Sequence, residues 1–208
     1  MNNIEEKRYN AMKTYFSSGT HNKTIATTHP YCGMQYYGKA YNVFSDGYSI
    51  VFTRKAIPIE METFNEYRMN NNMNNLQYLD VIPIIERNEK YEERIGKVDF
   101  NKLFTNARAN GYRKAKKKDN PYLLRYHDCF LSLRLIDRAY SIIDNGKEAD
   151  VFYAGEPYMP VKIVTNIGFA LICPMNMQQS KYDSIIKYEE VNNIKIIFDI
   201  VDFMVWEF

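Results

Sequence analysis

Apolar positions recur at helical spacing between Tyr126 and Met175, where Leu131, Leu135, Ile136, Ala139, Ile142 and Ile143 line one side of a helix. Arg134, Asp137 and Arg138 fall on the opposite, polar side. After the turn pair Asn145-Gly146 the spacing changes to that of strands. ADVFYAG, MPVKIVT and FALICP are short runs rich in β-branched and aromatic residues. A helix followed by an antiparallel meander predicts an α+β layer.

The same pattern extends upstream. Residues 3 to 16 predict a short helix with Ile4, Tyr9, Met12 and Phe16 on its apolar side. TIATT, YYGKAYNVF and YSIVFT follow as strands, the last two joined through Ser45-Asp46-Gly47, a strong hairpin signal. Residues 60 to 75 predict a helix fraying into an Asn-rich loop. LQYLDVIPII predicts a strand that Pro83 confines to an edge or a crossover, and the acid-rich Glu86 to Glu93 predicts a solvated loop. Asp99 is a natural N-cap for a helix carrying Phe100, Leu103, Phe104 and Ala107 on one face, ended by Gly111. YLLRYHDCF predicts a further strand, and NIKIIFDIVDFMVWEF a buried strand pair or terminal strand.

Composition changes this picture little. In 208 residues, 46% apolar, there is material for a full core, and the net charge of +2 marks no partner class by itself. Distribution says more. Arg108, Arg113, Lys114, Lys116, Lys117 and Lys118 crowd behind one amphipathic helix, joined by Lys102 on it. Arg134 and Arg138 stand one turn apart on another. Two helices basic on their outer faces would offer phosphates a sequence-independent surface, so any nucleic acid bound there, double-stranded DNA included, is expected to be bound non-specifically. The bland alternative is a solvated face.

Three cysteines without CxxC spacing point to a reducing cytoplasm, and no apolar run is long enough to span a bilayer, so no membrane partner is expected. The chain begins on charged residues without an apolar leader. The pairs His29/Cys32 and His127/Cys129 fit no standard zinc module, and Cys129 and Cys173 read as core residues. No metal, cofactor or catalytic motif is predicted, although Asp46, Asp80 or Asp128 beside a histidine would give an enzyme reading its start.

Three stretches in order resemble the bacterial sliding clamp, the ring-shaped β subunit of the replicative polymerase. NVFSDGYSIVF (Asn42 to Phe52) is similar to its strand-turn-strand with TDGHRLA; LQYLDVIPII (Leu76 to Ile85), followed by VDFNKLFTNAR, resembles FPDYxRVIP and the helix after it; ALICPMNM resembles the terminal VLMPMRL. Tyr48 and Ser49 replace the family's His and Arg, Cys173 replaces its first Met, and about 30 residues follow where a clamp would stop.

The resemblance spans about 42 to 177 and implies an α+β fold of antiparallel sheets with two amphipathic helices packed on one face. It divides the chain into a partial subdomain at 1–58, a clamp-like domain at 76–177 and an extension at 178–208. It also implies a peptide groove for short hydrophobic motifs of replication proteins, formed by Gly47, Tyr48, Ile50 and Pro83 with Ile172, Pro174 and Met175. A ring would require a homo-oligomer. The functional expectation is a non-enzymatic clamp-like protein of a phage or mobile element, binding DNA, replication proteins or both. The alternatives are an interaction or decoy protein that binds no DNA, and an enzyme with an unrecognised site.

Overall fold

The computed structural model describes residues 3–18, 25–26, 29–74, 77–78, 80–112 and 122–205. In chain order the elements begin with α1 (Asn3–Ser18), β1 (Ile25–Ala26), β2 (Tyr31–Tyr36), β3 (Lys39–Ser45), β4 (Ser49–Thr53) and α2 (Phe64–Asn70). β5 (Gln77–Tyr78), α3 (Ile82–Glu89), β6 (Glu93–Val98), α4 (Phe100–Ala109), β7 (Leu123–Tyr126) and β8 (Cys129–Ser132) follow. The rest comprises α5 (Leu133–Ile143), β9 (Ala149–Tyr153), β10 (Val161–Thr165), β11 (Gly168–Ile172), α6 (Gln179–Asn192), β12 (Ile197–Asp199) and β13 (Met204–Val205).

The fold is α+β, built on an antiparallel sheet of 8 strands in the order β13-β6-β9-β10-β11-β4-β3-β2. This one sheet takes strands from within 1–58, 76–177 and 178–208 alike, because β11 pairs with β4 and β13 with β6. Smaller parallel pairings join β1 to β5 and β12 to β7.

Pleating sends alternate side chains to opposite faces, and each face is covered differently. On one face Phe44, Val51, Val151, Ile163, Ala170 and Ile172 meet the apolar sides of α1, α4 and α5. Helices α4 and α5 therefore do pack on a common face, joined there by α1. On the other face Val43, Ile50, Phe52, Phe169 and Leu171 pack beneath Val81 and Ile85 of α3. The Phe52 and Phe169 rings stack there with centroids 4.6 Å apart. A satellite cluster of Leu123, Ile185, Ile196 and Ile197 holds α6.

Several local expectations hold. The Asp46-Gly47 turn joins β3 to β4, the meander β9–β10–β11 follows α5, and Asp99 caps α4 by accepting from the Lys102 amide at 2.9 Å. Four do not. YYGKAYNVF is not one strand, because Tyr37 and Gly38 both take positive φ and turn the chain between β2 and β3. YLLRYHDCF is likewise a hairpin, with the His127-Asp128 turn between β7 and β8.

Pro83 lies in no strand. It occupies the first turn of α3, where the missing N–H costs no hydrogen bond and the ring presets a helical φ. Finally, the acidic run forms the end of α3 and the start of β6 rather than a loop. The Phe16 side chain of the α1 face, most of TIATT, the Leu76 end of LQYLDVIPII and Trp206 fall outside what is described.

Candidate functional site

The polar side of α5 is the largest correction. Asp137 and Arg138 are both buried, Arg138 with only 5% of its surface exposed. The reason is geometric: α1 crosses that side of α5, and the β3–β4 turn reaches it. The Arg138 guanidinium pairs with the Asp46 carboxylate and lies over the Tyr15 ring, 4.3 Å from its centroid. Asp46 also accepts from the Tyr48 amide at 2.9 Å, the Ser49 amide at 2.7 Å and the Ser49 hydroxyl at 3.0 Å. Ser49 Oγ and the Tyr15 hydroxyl lie 2.6 Å apart, and burial pushes the Tyr15 phenol pKa up. Asp46 is thus more than a turn residue, and Arg138 is not a phosphate contact. Asp137 accepts from the Tyr112 hydroxyl at 3.1 Å.

Of the other predicted DNA contacts, Lys102 and Arg108 are exposed on α4 and Arg134 on the first turn of α5. Arg108 and Arg134 both act electrostatically on Tyr112, which places them at the same end of the molecule. Arg113, Lys114, Lys116, Lys117 and Lys118 lie outside the described residues.

The predicted peptide groove is only partly assembled. The Cys173 amide donates to the Tyr48 carbonyl at 2.9 Å, so the β3–β4 turn, with Gly47 and Tyr48 exposed, does adjoin the end of β11. Yet Ile50 stands opposite Leu171 in the ladder, and Ser49 opposite Ile172. A period of two therefore sends Ile50 under α3 and Ile172 under α5, on opposite faces. Pro83 is exposed on the first turn of α3. Pro174 and Met175 line a cavity, and the Met175 amide is fixed by the Phe130 carbonyl at 2.7 Å.

That cavity, about 430 Å³, shares Asp128 and Pro157 with a neighbour of about 560 Å³. The latter shares Tyr91 and Ala154 with a third of about 230 Å³, and Tyr158 lines both end cavities. Together they form a trough at the β6–β9 end of the sheet. Strand pairing builds its floor, since Glu93 stands opposite Tyr153, and the Tyr126 ring meets the Tyr153 ring nearly perpendicular (88°) at 5.4 Å. Burial, reinforced by Cys129, Asp128, Tyr126 and Glu156, pushes the Tyr153 phenol up to about 12. The walls carry Tyr91 and Tyr158, 56% and 68% exposed, aromatic surface in contact with solvent rather than core.

The Tyr91 wall hangs on α3, which a buried lysine anchors. Lys162 Nζ donates to Glu89 at 2.5 Å and to Glu92 at 2.8 Å, and it lies over the Phe152 and Phe169 rings. At the turn below, His127 takes φ 48°, a conformation that two-residue hairpins usually assign to glycine or asparagine. Sequence reasoning missed these trough residues: Tyr91 was hidden in the acidic run, Tyr126 and Tyr153 read as strand aromatics, and Tyr158 fell between two strand runs.

Other corners are self-satisfied. A cavity of about 550 Å³ beside α1 is bridged by the Lys13–Glu60 pair at 2.6 Å. His29 stacks on Tyr67 at 4.0 Å, and Asp80 accepts from the Ile82 amide at the start of α3. Among the described residues no three His, Cys, Asp or Glu side chains gather as metal ligands, and no helix is long and apolar enough to cross a membrane. Compared with protein-family models, characterised proteins and solved structures, the chain matches none.

Proposed function

We propose that this protein is an interaction protein that takes an extended segment of a partner into the tyrosine-lined trough. The observation that carries the reading is three adjoining cavities walled by exposed tyrosines at one end of the sheet. Exposed aromatic surface of this kind supplies large contact area at little entropic cost. The clamp-like expectation is kept in modified form: Pro174 and Met175 contribute a wall, while Ile50 and Ile172 serve the core. Replication proteins bearing short hydrophobic motifs remain the proposed partners, and a phage or mobile element the proposed source. A cytoplasmic setting is part of the same proposal, supported by three cysteines, all free.

Fluorescence anisotropy with apolar-anchored peptides of about ten residues tests it. Saturable binding should weaken about tenfold in Tyr158→Ala and in Tyr91→Ala, as expected for aromatic anchors. A panel that fails to bind, or binds both variants as well as wild type, would sink the reading.

A second reading, non-specific DNA binding, is favoured by Lys102, Arg108 and Arg134 being exposed, the last two both within electrostatic reach of Tyr112. It predicts a steep salt slope without sequence preference, weakened in the Arg108→Glu, Arg134→Glu double variant. Unchanged affinity in that variant rejects it. Light scattering with and without DNA reports whether copies associate into a ring.

A further inference from the structure

We infer that the segment accepted by the trough is basic, and that an arginine side chain is its specificity-determining anchor. This deepens the peptide-trough reading and rests on it. The chain as a whole carries a net charge of +2, yet the trough is acidic. Glu93 stands on its floor strand, Asp128 on the hairpin turn shared by two cavities, and Glu156 on the loop beside Tyr158, against a single guanidinium, Arg87, at the far end. Several carboxylates elsewhere are matched: Asp150 pairs with Arg94, Asp199 with Arg125, and Glu89 and Glu92 with Lys162. None of Glu93, Asp128 and Glu156 pairs with a lysine or arginine among the described residues.

These carboxylates alternate with aromatic rings. Tyr126 and Tyr153 present a face and an edge to one another beside Asp128, while Tyr91 and Tyr158 expose theirs to solvent. A planar guanidinium is the group that uses both features, stacking on a ring while its fork engages a carboxylate. A lysine ammonium satisfies the charge and forgoes the stacking geometry. The chain makes this arrangement in its own core, where Arg138 lies on Tyr15 and pairs with Asp46. The trough offers the tyrosine and the carboxylate, and the partner supplies the arginine.

The test uses the full chain and dye-labelled peptides of about ten residues that share leucine anchors and differ in flanking Arg, Lys, Gln or Glu. The expected order is Arg, then Lys, Gln and Glu, with Arg about tenfold tighter than Gln at low salt. The Glu93→Gln, Asp128→Asn double variant should reduce that ratio below about twofold. Equal affinities across the series, with binding still sensitive to Tyr158→Ala, overturn the basic anchor and leave the trough reading intact. An arginine preference that survives both neutralisations also overturns it. Absence of binding by every peptide overturns the trough reading itself.

Discussion

Asp46→Asn is the most informative single change in this molecule. It deletes the charge that offsets Arg138 while keeping an amide oxygen able to accept from the Tyr48 and Ser49 amides. Both side chains are almost wholly buried, with side-chain exposures of 7% and 4%, so solvent cannot replace the lost partner. Breaking a buried ion pair from one side costs about 3–5 kcal/mol, because the remaining charge stays uncompensated. The Tyr15 ring against the guanidinium offsets part of this, which places Asp46→Asn at the lower end, about 3 kcal/mol. Asp46→Ala also removes acceptors for two amides and a hydroxyl, adding about 1–2 kcal/mol. Arg138→Met should cost less, about 2–3 kcal/mol, since Asp46 keeps those three donors.

Urea denaturation followed by circular dichroism measures these values. For a chain of this size each kcal/mol lowers Tm by about 2–4 °C, so Asp46→Asn should melt about 6–12 °C early. The Asp46→Asn, Arg138→Met double variant should recover about 2 kcal/mol of the summed losses. Single variants within about 0.5 kcal/mol of wild type, or strictly additive losses, refute a coupled buried pair. The same variants separate structure from binding. Folded Arg138→Met should bind DNA as wild type does, whereas Arg134→Glu, on the exposed first turn of α5, should weaken any binding that exists.

Three further outcomes follow from the core. Burial opposes ionisation of Glu89, but hydrogen bonds and attraction from Lys162 hold its pKa below the ordinary 4.5. Its contribution is therefore complete above pH about 4.5 and lost as pH falls through the depressed value. Lys162→Met should cost about 2–4 kcal/mol at neutral pH and flatten that acid limb, and an unchanged pH profile would contradict the anchor. Cys129, pushed up to about 12 by burial, should resist thiol reagents until unfolding, while the exposed Cys32 reacts first; mass mapping of labelled peptides decides this. Gly168→Ala would drive a Cβ into the Phe52 carbonyl oxygen and within 3.0 Å of Thr53 Cα and Ile143 Cγ2, costing about 2–3 kcal/mol in a thermal melt. A neutral substitution would mean that β4 and β11 do not approach as described.

The sheet and its covering helices were legible wherever period and punctuation agreed. Asn145-Gly146 and Asp46-Gly47 mark turns by chemistry alone, and Asp99 marks a helix start because its carboxylate meets the Lys102 amide. Illegible turns are those made by residues that do not advertise them. His127 carries a positive φ without being glycine, so the β7–β8 hairpin is invisible inside a run of strand formers. Ile82-Pro83-Ile84-Ile85 has strand composition, and tertiary burial of Val81 and Ile85 decides for helix.

Site legibility fails for a different reason, which lies in the geometry of pairing. Arg138 reads as solvated because helical periodicity assigns it a face and cannot state what covers that face. The cover comes from Tyr15, 123 positions away in sequence, and from Asp46 across the β3–β4 turn. The trough is the same problem in reverse. Tyr91, Tyr126, Tyr153 and Tyr158 lie in separate segments, each an ordinary apolar residue of its own. They become one surface only when β6 pairs with β9 and sets Glu93 against Tyr153, and when Lys162 fixes α3 and with it Tyr91. A surface assembled by long-range register leaves no local motif. That is why the stretches that carry the clamp resemblance supplied Pro174 and Met175 but none of the trough's rings.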